Sequence, residues 1–257
     1  LEKSVVSLDK RAQATSKAFK NLALGITAVF TGGALTKGLT RNADAMTNFS
    51  NRVNLVTRDM KQTKVVMDEL FKIAARSRGD VDAAAETFNR FGLALQDAGK
   101  PVSELLKVTE AVQKAAVISG AGAQSAKAAI VQLGQGLASG QLRGQELNSV
   151  LEQMPRLAQA IATGMGIPFG ELREQAMKGK VTAEAVYQAI LNGAYEIDQE
   201  YNTLTATVSG LATVFGNEWT RAIGELDKAV GSSAGIKDGL ELATMAVKAF
   251  GENIGFV

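Results

Sequence analysis

Apolar side chains recur at alternating spacings of four and three residues along the first part of the chain. A spacing of this kind puts side chains on one stripe of a helix, and ~4 heptads is about the length that is typical of a coiled coil. We therefore predict a helix that either associates with a partner through this stripe or packs on its own domain as an ordinary amphipathic helix. The stripe comprises Leu1, Val5, Leu8, Ala12, Thr15, Phe19, Leu22, Ile26 and Val29, and the candidate self-association seam within it is Val5, Leu8, Phe19, Leu22, Ile26 and Val29.

Residues 21–36 continue this region without a single charged side chain, between Lys20 and Lys37. A membrane-spanning helix needs ~20 apolar residues, whereas this segment is shorter and contains three glycines. The sequence thus favours a hydrophobic helix with small-residue contacts. Insertion into a membrane under special circumstances stays open.

The middle of the chain shows short helical repeats that glycines interrupt. Asp80, Ser103 and Thr182 are predicted N-caps, Gly140 is a predicted helix-ending residue, and Pro155 fits the first position of a helix. The predicted inner faces are Val66, Leu70, Ile73 and Ala74; Val81, Ala84, Ala85, Phe88, Phe91 and Leu95; Leu105, Val108, Val112, Ala115 and Ala116; Ile130, Leu133 and Leu137; and Val186 and Ile190.

The alternating spacing of four and three returns near the end of the chain, which predicts a second rod-like helix. Its positions are Leu204, Val208, Leu211, Phe215, Trp219, Ala222 and Leu226. Nowhere does a run of alternating β-branched residues bounded by turns indicate a strand, so the predicted fold class is all-α. We expect a compact multi-helix domain of short helices (residues 40–200), flanked by longer coiled-coil-like helices. These are an N-terminal heptad helix with the uncharged segment (residues 1–39) and a C-terminal rod (residues 201–257).

The amino-acid composition excludes several kinds of catalytic and binding site. Cys and His are both absent, which excludes disulfides, thiolate nucleophiles, zinc sites of the Cys/His type and His-based triads. The net charge of +2 and the mixing of basic with acidic residues disfavour specific nucleic-acid binding. We expect neither a cofactor nor a metal. The chain begins at Leu1 without Met, and we expect it to be part of a longer protein.

Four glutamates are the remaining candidates for catalysis, as pairs that would cleave peptidoglycan. A glycosidase needs two carboxyl groups at a defined separation, one of them in an apolar pocket. Glu146 and Glu152 are six residues apart and face different sides of a helix, whereas Glu171 and Glu174 share a face. Basic neighbours at positions 173 and 178 indicate that this second face is solvated. A non-enzymatic role is favoured, with peptidoglycan cleavage as the alternative.

Two short motifs also have simpler readings as turns. The tripeptide "RGD" at 78–80 matches a cell-adhesion motif, but between two helices Gly79 is predicted to break one helix and Asp80 to cap the next. The stretch "GAGAQS" at 120–125 lacks the spacing of a phosphate-binding loop and is predicted to be a turn.

The segment "LASGQLRGQELNSVLEQMPRLAQAIA" and the later "GKVTAEAV" resemble the N-terminal domain of phage and prophage tail tape measure proteins. The upstream stretches "ADAMTNFSNRVNLVT", "ELFKIAARSR" and "KAAVISGAGAQSA" fit the same pattern in the same order, so that the resemblance covers roughly residues 40–195. The diagnostic positions, which we expect to be structural, are Gly140, Leu142, Arg143, Gly144, Glu146, Leu147, Pro155 and Leu157.

The resemblance implies a structural protein that sets tail length during assembly and leaves the tail with or before the DNA. It implies a location in the tail tube lumen of the virion, after synthesis in the host bacterial cytoplasm. The implied partners are other copies of the chain, the tail tube protein, tail assembly chaperones and tail tip proteins, with transient membrane contact at entry. The alternative is a peptidoglycan-cleaving or membrane-active entry module of a phage tail.

Overall fold

A computed structural model describes the backbone of residues 34–229 and the side chains of residues 45–222. The chain divides into two compact units, Leu1–Ala45 and Met46–Val257, and the account below concerns the second. The predicted seam from Val5 to Val29 lies outside the described residues, as do residues 21–33 of the uncharged segment. Among the helices of the described part, none combines the length and apolarity needed to cross a membrane.

The described residues form ten α-helices and two short 3-10 helices and contain no strand, which confirms the predicted all-α fold class. A single antiparallel bridge joins Gln141 to Thr182. The α-helices are α1 (Ala34–Thr57), α2 (Met60–Ser77), α3 (Val81–Ala94), α4 (Val102–Ile118), α5 (Ala123–Ala138), α6 (Gly144–Gln153), α7 (Pro155–Gly164), α8 (Leu172–Met177), α9 (Ala183–Tyr201) and α10 (Val208–Ala229).

One hydrophobic core joins helices α1 to α9 from Met46 onward, and every inner-face residue predicted for the middle of the chain is buried in it. Helix α9 packs against α4 and α7, while α5 packs against α3 and α6. The contact between α7 and α9 depends on Gly164, because a Cβ atom there would lie 2.5 Å from the Cα atom of Ala189. Two helix backbones therefore approach each other more closely than side chains would permit.

The predicted N-caps at Asp80 and Thr182 are confirmed. Asp80 Oδ1 accepts a hydrogen bond from the backbone N–H of Ala83 at 2.8 Å, and Thr182 Oγ1 accepts one from that of Ala185 at 3.2 Å. The cap predicted at Ser103 is wrong. Helix α4 starts earlier, with Pro101 at the N-cap and no side-chain hydrogen bond, because the extended conformation of Pro101 already allows the helix to begin at the next residue.

Helix α10 belongs to the same compact unit and packs against α2. It begins at Val208, so the predicted heptad position Leu204 is wrong and lies in the turn before the helix. Among the described side chains of α10, those of Asn217 and Ala222 are buried, whereas Val208 is 86% exposed. Arg221 strengthens the contact with α2, since its guanidinium group lies 3.0 Å from Asp68 Oδ1 and 5.3 Å from the ring centre of Phe71.

Candidate functional site

Gly140 ends helix α5 in the left-handed conformation that the sequence predicted, with φ of 83°. Its N–H donates to the carbonyl of Leu137 at 2.9 Å, and the N–H of Gln141 donates to that of Gly136 at 3.1 Å. This pair of bonds is the Schellman pattern, which satisfies the last carbonyls of a helix. Leu142 then turns back onto α5 and is fully buried.

The same turn joins the two motif stretches that lie some forty residues apart in the sequence. The N–H of Leu142 donates to the carbonyl of Val181 at 2.8 Å, and the N–H of Ala183 donates to the carbonyl of Gly140 at 3.0 Å. The end of α5 and the start of α9 are thereby fixed to each other. The two motif stretches are therefore held together by backbone hydrogen bonds, and we call this contact the joint at Gly140.

Four of the other diagnostic residues lie at helix starts or in the core. Pro155 begins α7, as predicted, and Gly144 begins α6, while Leu147 and Leu157 are buried in the core. Helix α7 ends at Gly164, but the left-handed residue that terminates it is Gly166, with φ of 67°.

Arg143 and Glu146 are three residues apart, close enough in sequence for a salt bridge, but no ion pair joins them among the described residues. Arg143 Nε instead donates to Gln141 Oε1 at 2.9 Å. Arg143 lies in the extended N-cap position of α6, where its side chain is directed back to the residue before the helix.

The four candidate glutamates do not form a paired carboxylate site. Glu152, Glu171 and Glu174 are exposed, and Glu146 lies in the first turn of α6, half-buried. The hydrogen bond and charge of Lys178 hold the pKa of Glu174 below its ordinary value, whereas a general acid needs a raised pKa. Within the described residues, no group of carboxylates is arranged to hold a metal ion.

The "RGD" turn differs from the expectation in one respect. The left-handed residue is Arg78, with φ of 51°, and not Gly79. A Cβ atom at position 79 would lie 2.6 Å from Gln113 Oε1, so a larger residue there would require the Gln113 side chain to move. Arg78 is held by the aromatic ring of Tyr201, whose centre lies 5.2 Å from the guanidinium carbon.

Next to this turn, a cavity of about 420 Å³ lies where the first turns of α3, α5 and α10 meet, closed on one side by the end of α4. The lining combines small apolar residues with a few polar groups. Its members include Arg78, Asp80, Gln113, Gly122, Ala123 and Thr207. The predicted turn at 120–125 is confirmed for its first part, with Gly120 at φ of 69°, but α5 already begins at Ala123. Gly120 and Gly122 line the cavity.

Two buried polar residues near this cavity were not predicted. Asn217 of α10 donates to the carbonyl of Gly79 at 2.7 Å and accepts from the N–H of Val81 at 3.2 Å. Gln113 of α4 is 3% exposed, and its Nε2 atom has no hydrogen-bond partner among the described residues. The spacing of apolar residues does not predict that either side chain is buried. The groups around each of them come from parts of the chain that are distant in sequence.

An ion-pair network on α2, α4 and α9 is also absent from the sequence-based predictions. Arg76 Nη2 lies 2.8 Å from Glu110 Oε2, and Lys114 pairs with both Glu110 and Asp198. Burial opposes ionisation of Glu110, but the hydrogen bonds from Arg76 and Lys114 outweigh it and hold its pKa below the ordinary value. The network therefore links three helices through charge as well as packing.

Residues 37–228 match the family model described as "Tape measure protein". This match spans most of the chain, including the joint at Gly140, the cavity and the part of α10 that packs on α2. Comparison with curated proteins and with solved structures gives no match.

Proposed function

Because the chain belongs to the tape measure protein family, we propose that it forms part of the ruler and scaffold that sets tube length during assembly of a long phage tail. Family membership makes it a structural component of a phage tail within the virion. The finer role, as ruler and scaffold, is the proposal. The observation that carries it is the match over residues 37–228, which includes the motifs joined by hydrogen bonds at Gly140 and Val181.

The geometry of the described unit restricts how such a ruler would work. An α-helix rises 1.5 Å per residue, so residues 46–222 as one straight helix would span roughly 260 Å. A folded domain of this size has a radius of gyration of only about 16 Å. The compact unit would therefore add little length while folded. We assign the length-setting role to extended helical segments of the parent chain, and a fixed folded module to this unit.

The rest of the proposal follows from the family. The chain is made in the host bacterial cytoplasm, lies in the lumen of the tail tube, and leaves with or before the DNA. Its partners are the tail tube protein, tail assembly chaperones, tail tip proteins and other copies of itself. The contact with itself would use the seam at Val5, Leu8, Phe19, Leu22, Ile26 and Val29, and transient membrane contact would use residues 21–36.

Tail length in the parent phage tests the proposal. Whole heptads are deleted from, or duplicated in, the predicted extended helices of the parent chain, and tails are measured by electron microscopy. We expect tails to change by about 1.5 Å for each residue removed or added. Deletion of the compact unit should change the length by far less per residue, or prevent tails from forming. Tails of constant length in the heptad series would contradict the ruler role.

A further inference from the structure

The apolar stripes of α9 and α10 continue each other across the turn at residues 202–207. Successive apolar positions along this part of the sequence are separated by three, four or seven residues. Because an α-helix turns by about 100° per residue, these positions would share one face if residues 183–229 formed a single helix. The stripe comprises Val186, Ile190, Ile197, Tyr201, Leu204, Val208, Leu211, Phe215, Trp219 and Ala222.

The sequence of the turn is compatible with a helix as well as with a break. Residues 194–209 contain neither glycine nor proline, the two residues that most disfavour a helix. The N–H groups of Thr205, Ala206 and Thr207 donate no hydrogen bond to another described residue, whereas in a continuous helix each would donate to the carbonyl four residues earlier. The break is capped in turn by the Thr207 hydroxyl, which accepts from the N–H of Gly210 at 3.1 Å. Contacts with the rest of the protein therefore decide between the two.

The contacts that hold the break lie on the side of α10 opposite to its stripe. Asn217 bonds to the backbone of the turn before α3, and Arg221 pairs with α2. Gly210 faces Arg78, since a Cβ atom at position 210 would lie 3.3 Å from the Cβ atom of Arg78. On α10 these three positions lie about 140–180° around the helix from Val208, which is 86% exposed. The contacts of Asn217, Arg221 and Gly210 therefore do not use the apolar stripe.

The turn is loosely packed on the residues from Met46 to Tyr201, which we call the body. The cavity of about 420 Å³ is lined by Leu204, Thr205 and Thr207 on one side and by residues of α3, α4 and α5 on the other. Protein interiors are otherwise close-packed. Movement of this turn therefore gives up less packing than movement of a close-packed segment would.

We propose that the chain from α9 to α10 has a second conformation, in which α10 leaves the body and residues 183–229 form one helix. This helix would span about 70 Å and would carry the whole stripe on one face. Release gives up the contacts of Asn217 and Arg221 and gains the helical hydrogen bonds of the turn. The body keeps its hydrophobic core, because that core includes no described residue of α10. This change of conformation goes beyond the ruler role and does not depend on it.

An engineered disulfide makes the release of α10 controllable. Arg78→Cys and Gly210→Cys pair two positions whose Cβ atoms would lie 3.3 Å apart, close to the roughly 3.5–4.5 Å found in disulfides. The chain has no other cysteine. Asn217→Ala is added to weaken the hold on α10. The oxidised protein then keeps α10 on the body and the reduced protein can release it, so that the two forms of one chain are matched controls.

Nuclear magnetic resonance reports the conformation of the turn through the ¹³Cα chemical shifts of Thr203, Thr205 and Thr207. We expect helical shifts at these residues in the reduced protein and non-helical shifts in the oxidised protein. Amide signals from the core of the body should stay the same in both. Proteolysis near the turn should still be faster in the reduced protein, because a helix without tertiary packing unfolds locally.

Two substitutions at Thr205, made in the Asn217→Ala chain, test whether the released turn becomes a helix or merely loosens. Thr205→Ala should raise the ratio of helical to broken forms about two- to threefold, because alanine has the higher helix propensity. Thr205→Pro should lower this ratio at least about tenfold, because proline disrupts the interior of a helix. Proline removes no hydrogen bond from the broken form, in which the N–H of Thr205 donates to no described residue.

Three results would overturn the proposal. They are random-coil shifts at the turn in the reduced protein, identical shifts in the reduced and oxidised proteins, or equal shifts in the Thr205→Ala and Thr205→Pro variants. Circular dichroism of each variant establishes that it is folded. If the disulfide does not form, the pair at Thr205 still decides the outcome.

Discussion

Asn217 holds helix α10 on the compact unit through two hydrogen bonds to the turn before α3. Its Nδ2 donates to the carbonyl of Gly79 and its Oδ1 accepts from the N–H of Val81, at 2.7 and 3.2 Å. Asn217→Ala leaves both backbone groups buried without a partner. Each such group costs about 1–3 kcal/mol, and partial access of water to the new space reduces the sum. We expect a loss of about 2–4 kcal/mol in the free energy of unfolding.

Urea unfolding followed by circular dichroism measures this loss. With m of about 2–3 kcal/mol/M, the midpoint should fall by roughly 1 M. Thr220→Ala is the control on the same helix, because the Thr220 hydroxyl bonds only to the carbonyl of Gly216 at the surface, and its effect should stay within about 0.5 kcal/mol. Limited proteolysis should also cut the Asn217→Ala chain faster between α9 and α10. Equal midpoints for Asn217→Ala and Thr220→Ala would refute this account of how α10 is held.

Two further predictions concern the turn at Gly140 and the ion-pair network. Gly140→Ala forces a side chain into the left-handed conformation and should destabilise the protein by about 1–2 kcal/mol in urea unfolding. Gly170→Ala, where φ is not positive and space is open, should change little, and similar losses in both would disprove the turn assignment. Since the folded-state pKa of Glu110 is lowered from 4.5, its contribution to stability is present above that value and lost as pH falls through the folded pKa. Glu110→Gln should therefore be less stable than the parent at neutral pH, with a gap that narrows in acid. A gap in unfolding free energy that stays constant down to about pH 3 would contradict this.

The helices and their inner faces could be predicted because their determinants are local. Residues such as Phe88 and Phe91 are placed on one stripe by helical spacing alone, and all of the predicted inner-face positions are buried. The caps at Asp80 and Thr182 are local in the same sense, since each bonds to a backbone group three residues later. Ser103 shows the limit of this reasoning, because Pro101 begins the helix first.

The contacts that position the cavity could not be predicted, since their partners are distant in the sequence. The bond from Asn217 to Gly79 joins residues 138 positions apart, and no spacing rule reports such a pair. Leu204 continued the heptad pattern in sequence but lies in the turn before α10, where the carbonyl of Leu204 accepts from Arg78. The left-handed conformation of Arg78 was not predicted for the same reason. It is accompanied by a contact with the ring of Tyr201, a residue that the tripeptide does not contain.

The family motif and the start of α5 differ in whether their backbone polar groups have hydrogen-bond partners within the described residues. At the motif, Gly140, Leu142, Val181 and Ala183 satisfy one another's N–H and carbonyl groups, so substitutions there should act on folding and leave no group free for a ligand. At the cavity, the start of α5 is uncapped while the adjacent starts of α3 and α10 each have an acceptor. A serine or aspartate at position 122 would have capped α5 without strain. With glycine there, the α5 terminus has no side-chain acceptor, and residues 122–125 are exposed. We therefore expect stability to be sensitive to position 140, whereas Gly122→Asp, which adds an N-cap acceptor to α5, should raise it by only a few tenths of a kcal/mol.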